Sequence, residues 1–480
     1  MFVFLELESI KMKKFVLGVF CFVVIALKSQ DCSSLNITEV SNIATTCQQI
    51  SMTMMHDQMG RDYLYVANKD LGLTVYDISD YGNPLGVDTL LSNVYLDSLD
   101  VMNVEQDGNY LFLSLGSTFT NGEKGGVAIV DVTNPTNVQL TDLKITTPES
   151  NGTGIIKVEG NYAYVGAMSQ GVIMYDVTDK SNITFVGQFI PDITFPSSNN
   201  PNPDLYNARG MEVRNGIVYL CYDAGGLRIL DCTNPSNPVE LGAYANQTLY
   251  DPFNLPRAYN NIVLEDTLAY VAIDYCGLEV LNIADPENIE LVGWWNPYGC
   301  PNNNWFSSPV HTNELYYNED CKKLFVSTGK SDMMVLDMTN PLQPDSCGYF
   351  GGVSNSIGTW GVNGYMDQIY LSYICAVIPF SSNWTGVKLL NYEPCDVGLS
   401  EAEKMDWEVY PNPATTHVNI DGVEEMKDMK FNIYNVAGQL VLHGMINENV
   451  LAINELPNGM YSLQIMVDEG VSTKMFIVQR

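Results

Sequence analysis

Short runs of alternating apolar and polar residues cover most of the chain between residues 50 and 395. Alternation with a period of two is typical of β-strands, and the Gly, Asn and Pro between the runs are typical of turns. The runs come in pairs, because a strand rich in Tyr, Val and Leu precedes a glycine-led strand that ends in Asp or Asn. The first strands of the pairs are predicted at Tyr63–Ala67, Tyr110–Ser114, Tyr162–Gly166, Val218–Cys221, Leu268–Ala272, Leu324–Ser327 and Ile369–Ser372. Seven copies, roughly 45 to 55 residues apart, predict a repeat protein built from strands.

Two copies show the repeat most clearly, at Gly125–Pro135 and Gly226–Pro235. In both, a glycine-led apolar strand ends in Asp and is followed, one residue later, by Thr-Asn-Pro. These segments resemble LVIVD repeats, and the resemblance extends over most of the chain. We therefore expect an all-β fold whose main domain, residues 30–395, is a seven-bladed β-propeller with one four-stranded blade per copy.

The last copy departs from this pattern, because no fourth strand follows Val387–Asn391 before the sequence changes character. A three-stranded blade would leave an open sheet edge, which is an aggregation hazard. We predict that the segment Leu35–Ile43 supplies the missing strand and closes the ring.

The final segment, residues 407–480, predicts a separate small immunoglobulin-like β-sandwich after a linker at residues 396–406. It resembles the type A C-terminal sorting domain of the type IX secretion system of the Bacteroidetes. The motif positions that carry this resemblance are Pro411, Asn412, Pro413, Gly438, Pro457, Gly459 and Tyr461. The resemblance implies that the secretion machinery is a partner and that the domain is an export signal.

The first 29 residues have the layout of a secretory signal peptide, with lysines before the apolar run Phe15–Leu27. Translation from Met1 and translation from Met12 both fit. The apolar run is too short for a membrane span, so we expect a secreted or outer-surface protein. Ten of the eleven cysteines lie outside this segment, and in an exported chain they predict disulfides, which we place between blades without assigning pairs.

The net charge of −33 excludes nucleic acid as a partner, because the chain repels phosphate. The chain has only 4 histidines and shows no nucleophile elbow, phosphate loop or metal-binding helix, so we expect no cofactor and no metal. The Asp that ends each glycine-led strand is assigned to the turn, since short polar side chains there bind backbone amides.

The long loops of a propeller with this repeat all emerge on one face: Gly116 to Lys124, Ile190 to Ala208, Ala245 to Asn260 and Trp294 to Val310. Aromatic and Arg side chains are concentrated there, among Asn and Pro. The candidate ligand-binding residues are Tyr206, Arg209, Tyr250, Arg257, Tyr259, Trp294, Trp295, Tyr298, Trp305, His311 and Trp360. Aromatic rings beside amides suit sugars and extended peptides, but the same rings could simply pack the loops onto the propeller.

The sequence thus favours a secreted or cell-surface binding protein, without enzymatic activity, for a glycan or protein ligand. Two alternatives stay open. One is a hydrolase or lyase that uses channel carboxylates and His311, since with so many acidic residues some carboxylates must meet across the channel. The other is a structural component of a surface layer.

Overall fold

The computed structural model describes residues 35–47, 49–116, 124–146, 152–197, 201–249, 257–300, 310–329, 331–352, 357–375, 382–392, 407–421, 429–435, 440–446, 449–467 and 470–480. The predicted signal peptide at residues 1–29 and the predicted linker at residues 396–406 lie outside these ranges. In the described part of the chain, no helix is long and apolar enough to cross a membrane.

Six antiparallel sheets are each built from four consecutive strands, with the first strand innermost, and we call them blades 1 to 6. Blade 1 contains β2 (Thr53–His56), β3 (Tyr63–Asn68), β4 (Gly72–Asp77) and β5 (Leu85–Leu91); blade 2 contains β6 (Val101–Asp107), β7 (Tyr110–Leu115), β8 (Gly126–Asp131) and β9 (Gln139–Ile145); blade 3 contains β10 (Ile155–Glu159), β11 (Tyr162–Gly166), β12 (Val172–Asp176) and β13 (Thr184–Phe189). Blade 4 contains β14 (Gly210–Arg214), β15 (Ile217–Cys221), β16 (Leu227–Asp231) and β17 (Val239–Tyr244); blade 5 contains β18 (Tyr259–Glu265), β19 (Leu268–Ile273), β20 (Gly277–Asn282) and β21 (Glu290–Trp295); blade 6 contains β22 (Leu315–Asn318), β23 (Lys323–Ser327), β24 (Met333–Asp337) and β25 (Asp345–Phe350). Two short helical turns, α1 (Ser92–Tyr95) and a 3-10 turn at Pro203–Leu205, lie in connections between blades.

A further four-stranded sheet, blade 7, joins the two ends of the repeat region. It contains β26 (Thr359–Tyr365), β27 (Gln368–Tyr373) and β28 (Gly386–Tyr392), with β1 (Ile37–Ala44) as its outermost strand. β1 pairs antiparallel with β28 and places Ile43 opposite Val387. The innermost strands contact one another from blade to blade, and β26 of blade 7 contacts β2 of blade 1. The prediction that the N-terminal segment completes the last sheet is confirmed.

The last residue of the third strand closes the turn that follows it. The carboxylates of Asp77, Asp131, Asp176, Asp231 and Asp337 each accept the backbone N–H of the residue two positions further on, at 2.7 to 2.9 Å. Such Asx turns satisfy a backbone donor locally, so a shared structural need explains the repeated Asp. The assignment of this Asp to the turn is confirmed.

A second repeated feature fixes how neighbouring blades pack. Gly242 in β17 lies so close to the next blade that an added Cβ would come within 1.8 Å of the carbonyl oxygen of Pro286. Gly187 and Gly293 hold the same register position in their blades and have the same close contact with a Pro carbonyl. In blade 1 the position belongs to Asp88, which accepts the N–H of Val138 in blade 2 at 2.7 Å.

Two disulfides have both cysteines in the described part of the chain, Cys47–Cys375 and Cys276–Cys300. Each joins segments that flank strands of one sheet, so the expectation of disulfides between blades is wrong for both. The reason is that the turns and connections of one blade come together at one end of its own sheet. Disulfides are thus present, as expected, but Cys221 in β15 is a buried free thiol, and its burial raises its pKa.

The C-terminal domain is a two-layer β-sandwich, as predicted. Its smaller sheet contains β29 (Glu408–Tyr410), β30 (His417–Asp421) and β33 (Val450–Ala452), and its larger sheet contains β31 (Met429–Asn435), β32 (Leu440–Ile446), β34 (Gly459–Val467) and β35 (Gly470–Val478). Trp407, Ile433, Leu463 and Phe476 are fully buried between the layers. The all-β fold with a propeller followed by a sandwich is therefore confirmed.

The motif residues of this domain hold its C-terminal end in place. Asn412, between Pro411 and Pro413, accepts the N–H of Ile477 at 2.9 Å, and the hydroxyl of Tyr461 donates to the carbonyl of Pro457. The guanidinium of Arg480 donates to the backbone carbonyls of Thr415, Leu456 and Ile453 at 2.7 to 2.8 Å. Gly459 begins β34, and Gly438 lies outside the described residues.

Candidate functional site

The two faces of the propeller differ in their connections. The turn face carries the Asn-Pro turns between third and fourth strands, and the opposite face, which we call the loop face, carries the long connections between blades. On the loop face the turn after β15 places Asp223, and the turn after β19 places Asp274. Asp223 forms a β-bridge with Tyr259 at the start of β18, so the turn of blade 4 is fixed to the innermost strand of blade 5.

His311, Asn313 and Asp274 form a chain of polar contacts on the loop face. Nε2 of His311 lies 3.2 Å from Oδ1 of Asp274, and Nδ1 lies 2.7 Å from Oδ1 of Asn313. The amide nitrogen of Asn313 donates to the carbonyl of Thr359 at 3.0 Å. Since that bond fixes the amide orientation, the Asn313 oxygen faces His311, and Nδ1 of His311 carries the proton.

Arg209 and Arg257 both lie near the Asp274 carboxyl and lower its pKa in part. Nε of Arg209 lies 3.5 Å from Oδ2 of Asp223, and that oxygen also accepts a hydrogen bond from the amide of Asn207 at 3.0 Å. The Arg257 guanidinium carbon lies 5.8 Å from the centre of the Tyr275 ring, which meets the His311 ring edge-on at 4.8 Å. We call Arg209, Asp223, Arg257, Asp274, Tyr275, His311 and Asn313 the loop-face cluster.

Burial dominates the electrostatics of the loop-face cluster. Asp274 is only 5% exposed, and its burial raises the pKa of its carboxyl well above the usual range. The charge of Asp223 raises this pKa further, while the charges of Arg257 and Arg209 lower it in part. Burial also raises the pKa of Asp223. Oδ1 of Asp274 and Nε of Arg209 are buried, and their contacts with His311 and Asp223, at 3.2 and 3.5 Å, lack hydrogen-bond geometry.

The structure thus brings together three of the predicted binding residues, Arg209, Arg257 and His311. The two aspartates and Asn313 were missed by the sequence analysis. Asp274 had a signal in the sequence, because an Asp directly after an apolar second strand differs from the Asp that ends the third strand.

Several predicted aromatic residues pack into the propeller instead. Tyr206, Tyr259 and Trp295 are at most 4% exposed, and Nε1 of Trp295 donates to the hydroxyl of Ser346 at 2.7 Å. Nε1 of Trp294 donates to the carbonyl of Cys276 at 2.9 Å. These contacts favour the packing interpretation that the sequence left open for these rings.

Of the other four aromatic candidates, two pack against core residues and two lie outside the described residues. Tyr298 is partly buried against the core shared by blades 5 and 6, and Trp360 packs beside Met52 and Ile374. Tyr250 and Trp305 lie outside the described residues.

The central channel holds a second set of charges. Glu105, Lys157 and Glu212 lie on three consecutive innermost strands, each paired with the central aromatic residue of its second strand. Nζ of Lys157 lies 2.8 Å from Glu212 and 3.8 Å from Glu105. Glu314 also lines the channel, and burial raises the pKa of its carboxyl to about 7.

The strand register explains why the sequence predicted carboxylates in the channel without naming them, because only strand pairing shows which residues lie at the same height along the channel.

In the described residues, no group of three or more His, Cys, Asp or Glu side chains is arranged to hold a metal ion.

Two family models match the chain. The model described as LVIVD repeat matches residues 60–89, 100–142, 153–190 and 207–246. The model described as Secretion system C-terminal sorting domain matches residues 408–479. No curated protein matches the chain in sequence.

Solved structures that resemble the chain include β-propellers. The RRP9 WD40 repeats are 10% identical, with 75% of this chain and 100% of that chain covered and a TM-score of 0.52, which supports the propeller fold. The Cps50 (Swd1) β-propeller domain of Myceliophteria thermophila is 10% identical, with 74% and 99% covered and a TM-score of 0.48. PorZ, a surface component of the type IX secretion system of Porphyromonas gingivalis, is 13% identical, with 88% and 65% covered and a TM-score of 0.32.

Proposed function

We propose that this chain, a propeller of LVIVD repeats with a secretion system C-terminal sorting domain, is a binding protein that captures a glycan or protein ligand at its loop face without chemical turnover. The sorting domain indicates a secreted or outer-surface protein and implies contact with the type IX secretion machinery. The observation that carries the proposal is the loop-face cluster, in which the buried atoms Oδ1 of Asp274 and Nε of Arg209 contact His311 and Asp223 without hydrogen-bond geometry.

Buried polar atoms without partners are costly, at about 1–3 kcal/mol each. The cluster therefore lowers the stability of the free protein, and such a cost is typical of a site that is kept for binding. A ligand that forms well-aligned hydrogen bonds with these atoms recovers this free energy on binding, which is why few, convergent polar groups in a packed surface are typical of ligand sites.

The test is to measure the binding of the purified chain, without the predicted signal peptide at residues 1–29, to arrays of glycans and of extracellular matrix proteins. The Asp274→Asn variant keeps the size of the side chain and removes its acid, so we expect it to lose the bound ligand. Arg214→Gln is the matched control, because Arg214 ends β14 on the turn face, at the opposite end of the strand that follows Arg209. A ligand retained equally by the wild type and by Asp274→Asn would contradict the proposal.

A second candidate function, a hydrolase or lyase, rests on Glu314. A carboxyl with a pKa of about 7 can hold a proton at neutral pH and donate it to a leaving group, while Glu105 or Glu212 would act as base. Turnover of a polysaccharide substrate that Glu314→Gln abolishes would favour this candidate over simple binding.

A further inference from the structure

The central channel encloses a polar cavity of about 90 Å³ that is separate from the loop-face cluster. Its lining comes from the innermost strands and, at Glu314, from the residue directly before one of them. The charged residues of this lining belong to blades 2, 3, 4 and 6 and are Glu105, Lys157, Glu212 and Glu314. A polar cavity of this size has room for several water molecules and therefore for a small polar ligand.

The polar residues of the cavity form two layers along the channel. The lower layer lies at the register of the central aromatic residues and contains Glu105, Lys157 and Glu212. The upper layer lies two residues nearer the loop face on each strand and contains Thr53, Asn103, Asn261 and Glu314. Since a strand rises about 3.3 Å per residue, the two layers are about 7 Å apart.

The lower layer has more carboxylates than ammonium groups. Nζ of Lys157 lies 2.8 Å from Glu212 and 3.8 Å from Glu105, so Glu105 has the longer contact. Although burial lowers the pKa of Lys157, the charges of the two carboxylates raise it above its usual value, and Lys157 stays an ammonium group. One ammonium group between two ionised carboxylates leaves one negative charge in excess.

Glu314 in the upper layer is held by neutral donors. Its Oε2 lies 3.5 Å from the hydroxyl of Thr53, and the backbone N–H of Val362 also donates to its carboxylate. An added Cβ on Gly361 would come within 3.1 Å of this Oε2, so the glycine leaves the space in which the carboxylate lies. Among the described residues that line the cavity, Lys157 is the one with a positive charge, and it is shared within the lower layer.

We propose that the channel cavity binds a small aliphatic diammonium ion, with one ammonium group at Glu314 in the upper layer and the other at Glu105 in the lower layer. This site goes beyond the proposed function, because it is distinct from the loop-face cluster. An ammonium group held by a carboxylate in a narrow, poorly hydrated channel is attracted more strongly than in bulk water.

The separation of the two layers favours an extended ligand over a metal ion. A metal ion needs its carboxylates to converge on one point, whereas Glu105 and Glu314 lie in different layers of the channel. In a diamine with four methylene groups, five single bonds of about 1.5 Å place the two nitrogens about 6 Å apart, which is close to the spacing of the layers. The amide oxygens of Asn103 and Asn261 line the same cavity and can accept further N–H donors.

The experiment is calorimetric titration of the purified chain, without residues 1–29, with butane-1,4-diamine at pH 8. The comparison probes are 4-aminobutan-1-ol, which has the same length and one charge, and calcium chloride. We expect the diamine to bind at least about 10-fold more tightly than the amino alcohol, which lacks one charge-assisted hydrogen bond. Burial raises the pKa of Glu314 to about 7, so binding should be about 10-fold weaker at pH 6, where Glu314 holds a proton.

Glu314→Gln keeps the size of the side chain and removes its charge, so it should weaken binding of the diamine about 10- to 100-fold and reduce its pH dependence. Glu290→Gln is the matched control, because it makes the same change at an exposed position of the outermost strand β21 and should bind like the wild type. Thermal melting shows that each variant is folded. Gly361→Ala, which crowds the Glu314 carboxylate, is a second variant that should weaken binding.

Equal binding of butane-1,4-diamine by the wild type and Glu314→Gln would overturn the inference. Binding of 4-aminobutan-1-ol or of Ca²⁺ that is as tight as binding of the diamine would also overturn it, as would a folded wild type that does not bind the diamine. These three results need only the wild type, so the test stays decisive if a variant does not fold. None of them bears on the loop-face ligand, which is tested separately with Asp274→Asn.

Discussion

The disulfide Cys47–Cys375 should stabilise the propeller more than any local contact of the N-terminal segment. Cys47 follows β1 and Cys375 follows β27, so the bond fastens the first strand to the last blade. It closes a chain segment with a sequence separation of 328, whereas Cys276–Cys300 closes one of 24. The two bonds thus form a matched pair that differs chiefly in loop length.

The expected magnitudes follow from the entropy that a closed loop removes from the unfolded chain. A loop of 328 residues gives a stabilisation of about 6 kcal/mol, and a loop of 24 residues gives about 3.5 kcal/mol. The difference, about 2.3 kcal/mol, depends only on the ratio of the lengths and is independent of the constant in the relation.

The assay is chemical denaturation of two double variants, Cys47→Ala with Cys375→Ala and Cys276→Ala with Cys300→Ala, followed by circular dichroism. Cys276 and Cys300 are buried and Cys47 is exposed, so the loss of packed sulfur adds to the cost of the second variant. Any excess loss in the first variant is therefore a lower bound on the loop effect. A first variant that is no less stable than the second would refute the view that ring closure is held by this bond.

Three further predictions concern packing, pH and the C-terminal domain. Gly242→Ala forces a Cβ into the carbonyl of Pro286 and should cost at least about 2 kcal/mol in the free energy of unfolding, whereas Gly348→Ala, at the same register position but in ordinary contact, should cost less. Burial raises the pKa of Glu279 to about 7, so the folded state binds its proton more tightly. As pH rises from 4.5 to 7, the wild type should lose about 3 kcal/mol more stability than Glu279→Gln, as measured by denaturation of both proteins at each pH. Arg480→Ala removes three hydrogen bonds to carbonyls and should lower the stability of the sorting domain by about 2 kcal/mol in thermal melts and reduce its export of a reporter, and unchanged melting would contradict the structural role of the last residue.

The sequence was sufficient for the architecture because the repeat is local. Each turn uses an Asp that accepts its own backbone amide, as Asp131 does, and such contacts are written in a few consecutive residues. The pairing of Leu35–Ile43 with the last blade could be predicted for another reason, since a three-stranded blade leaves an open edge that a further strand must cover. The disulfide pairs could not be predicted, because the spacing of cysteines in the sequence does not show which turns and connections of a blade lie close together.

The site was only partly predictable. Arg209, Arg257 and His311 were candidates because they lie in or beside long loops, but loop position does not distinguish a side chain that packs from one that faces a ligand. Tyr259 illustrates the limit, since it is 2% exposed and its hydroxyl lies 3.1 Å from Glu279. The position of Asp274 after a second strand was a signal that the sequence analysis did not use, but its burial comes from segments of three different blades and could not be read from the sequence.

The two faces of the propeller use the same chemical group in opposite ways. On the turn face, Asp231 is half-buried, and one of its carboxylate oxygens accepts a backbone N–H and a hydroxyl of Thr233 at 2.9 and 2.6 Å. On the loop face, Asp274 is buried near the charges of Arg209 and Arg257, and its contact with His311 lacks hydrogen-bond geometry. A fold that satisfies its carboxylates so consistently at one end does not need an unsatisfied one at the other for stability. The physical cost at Asp274 is therefore the strongest reason to look for the ligand of this protein on the loop face.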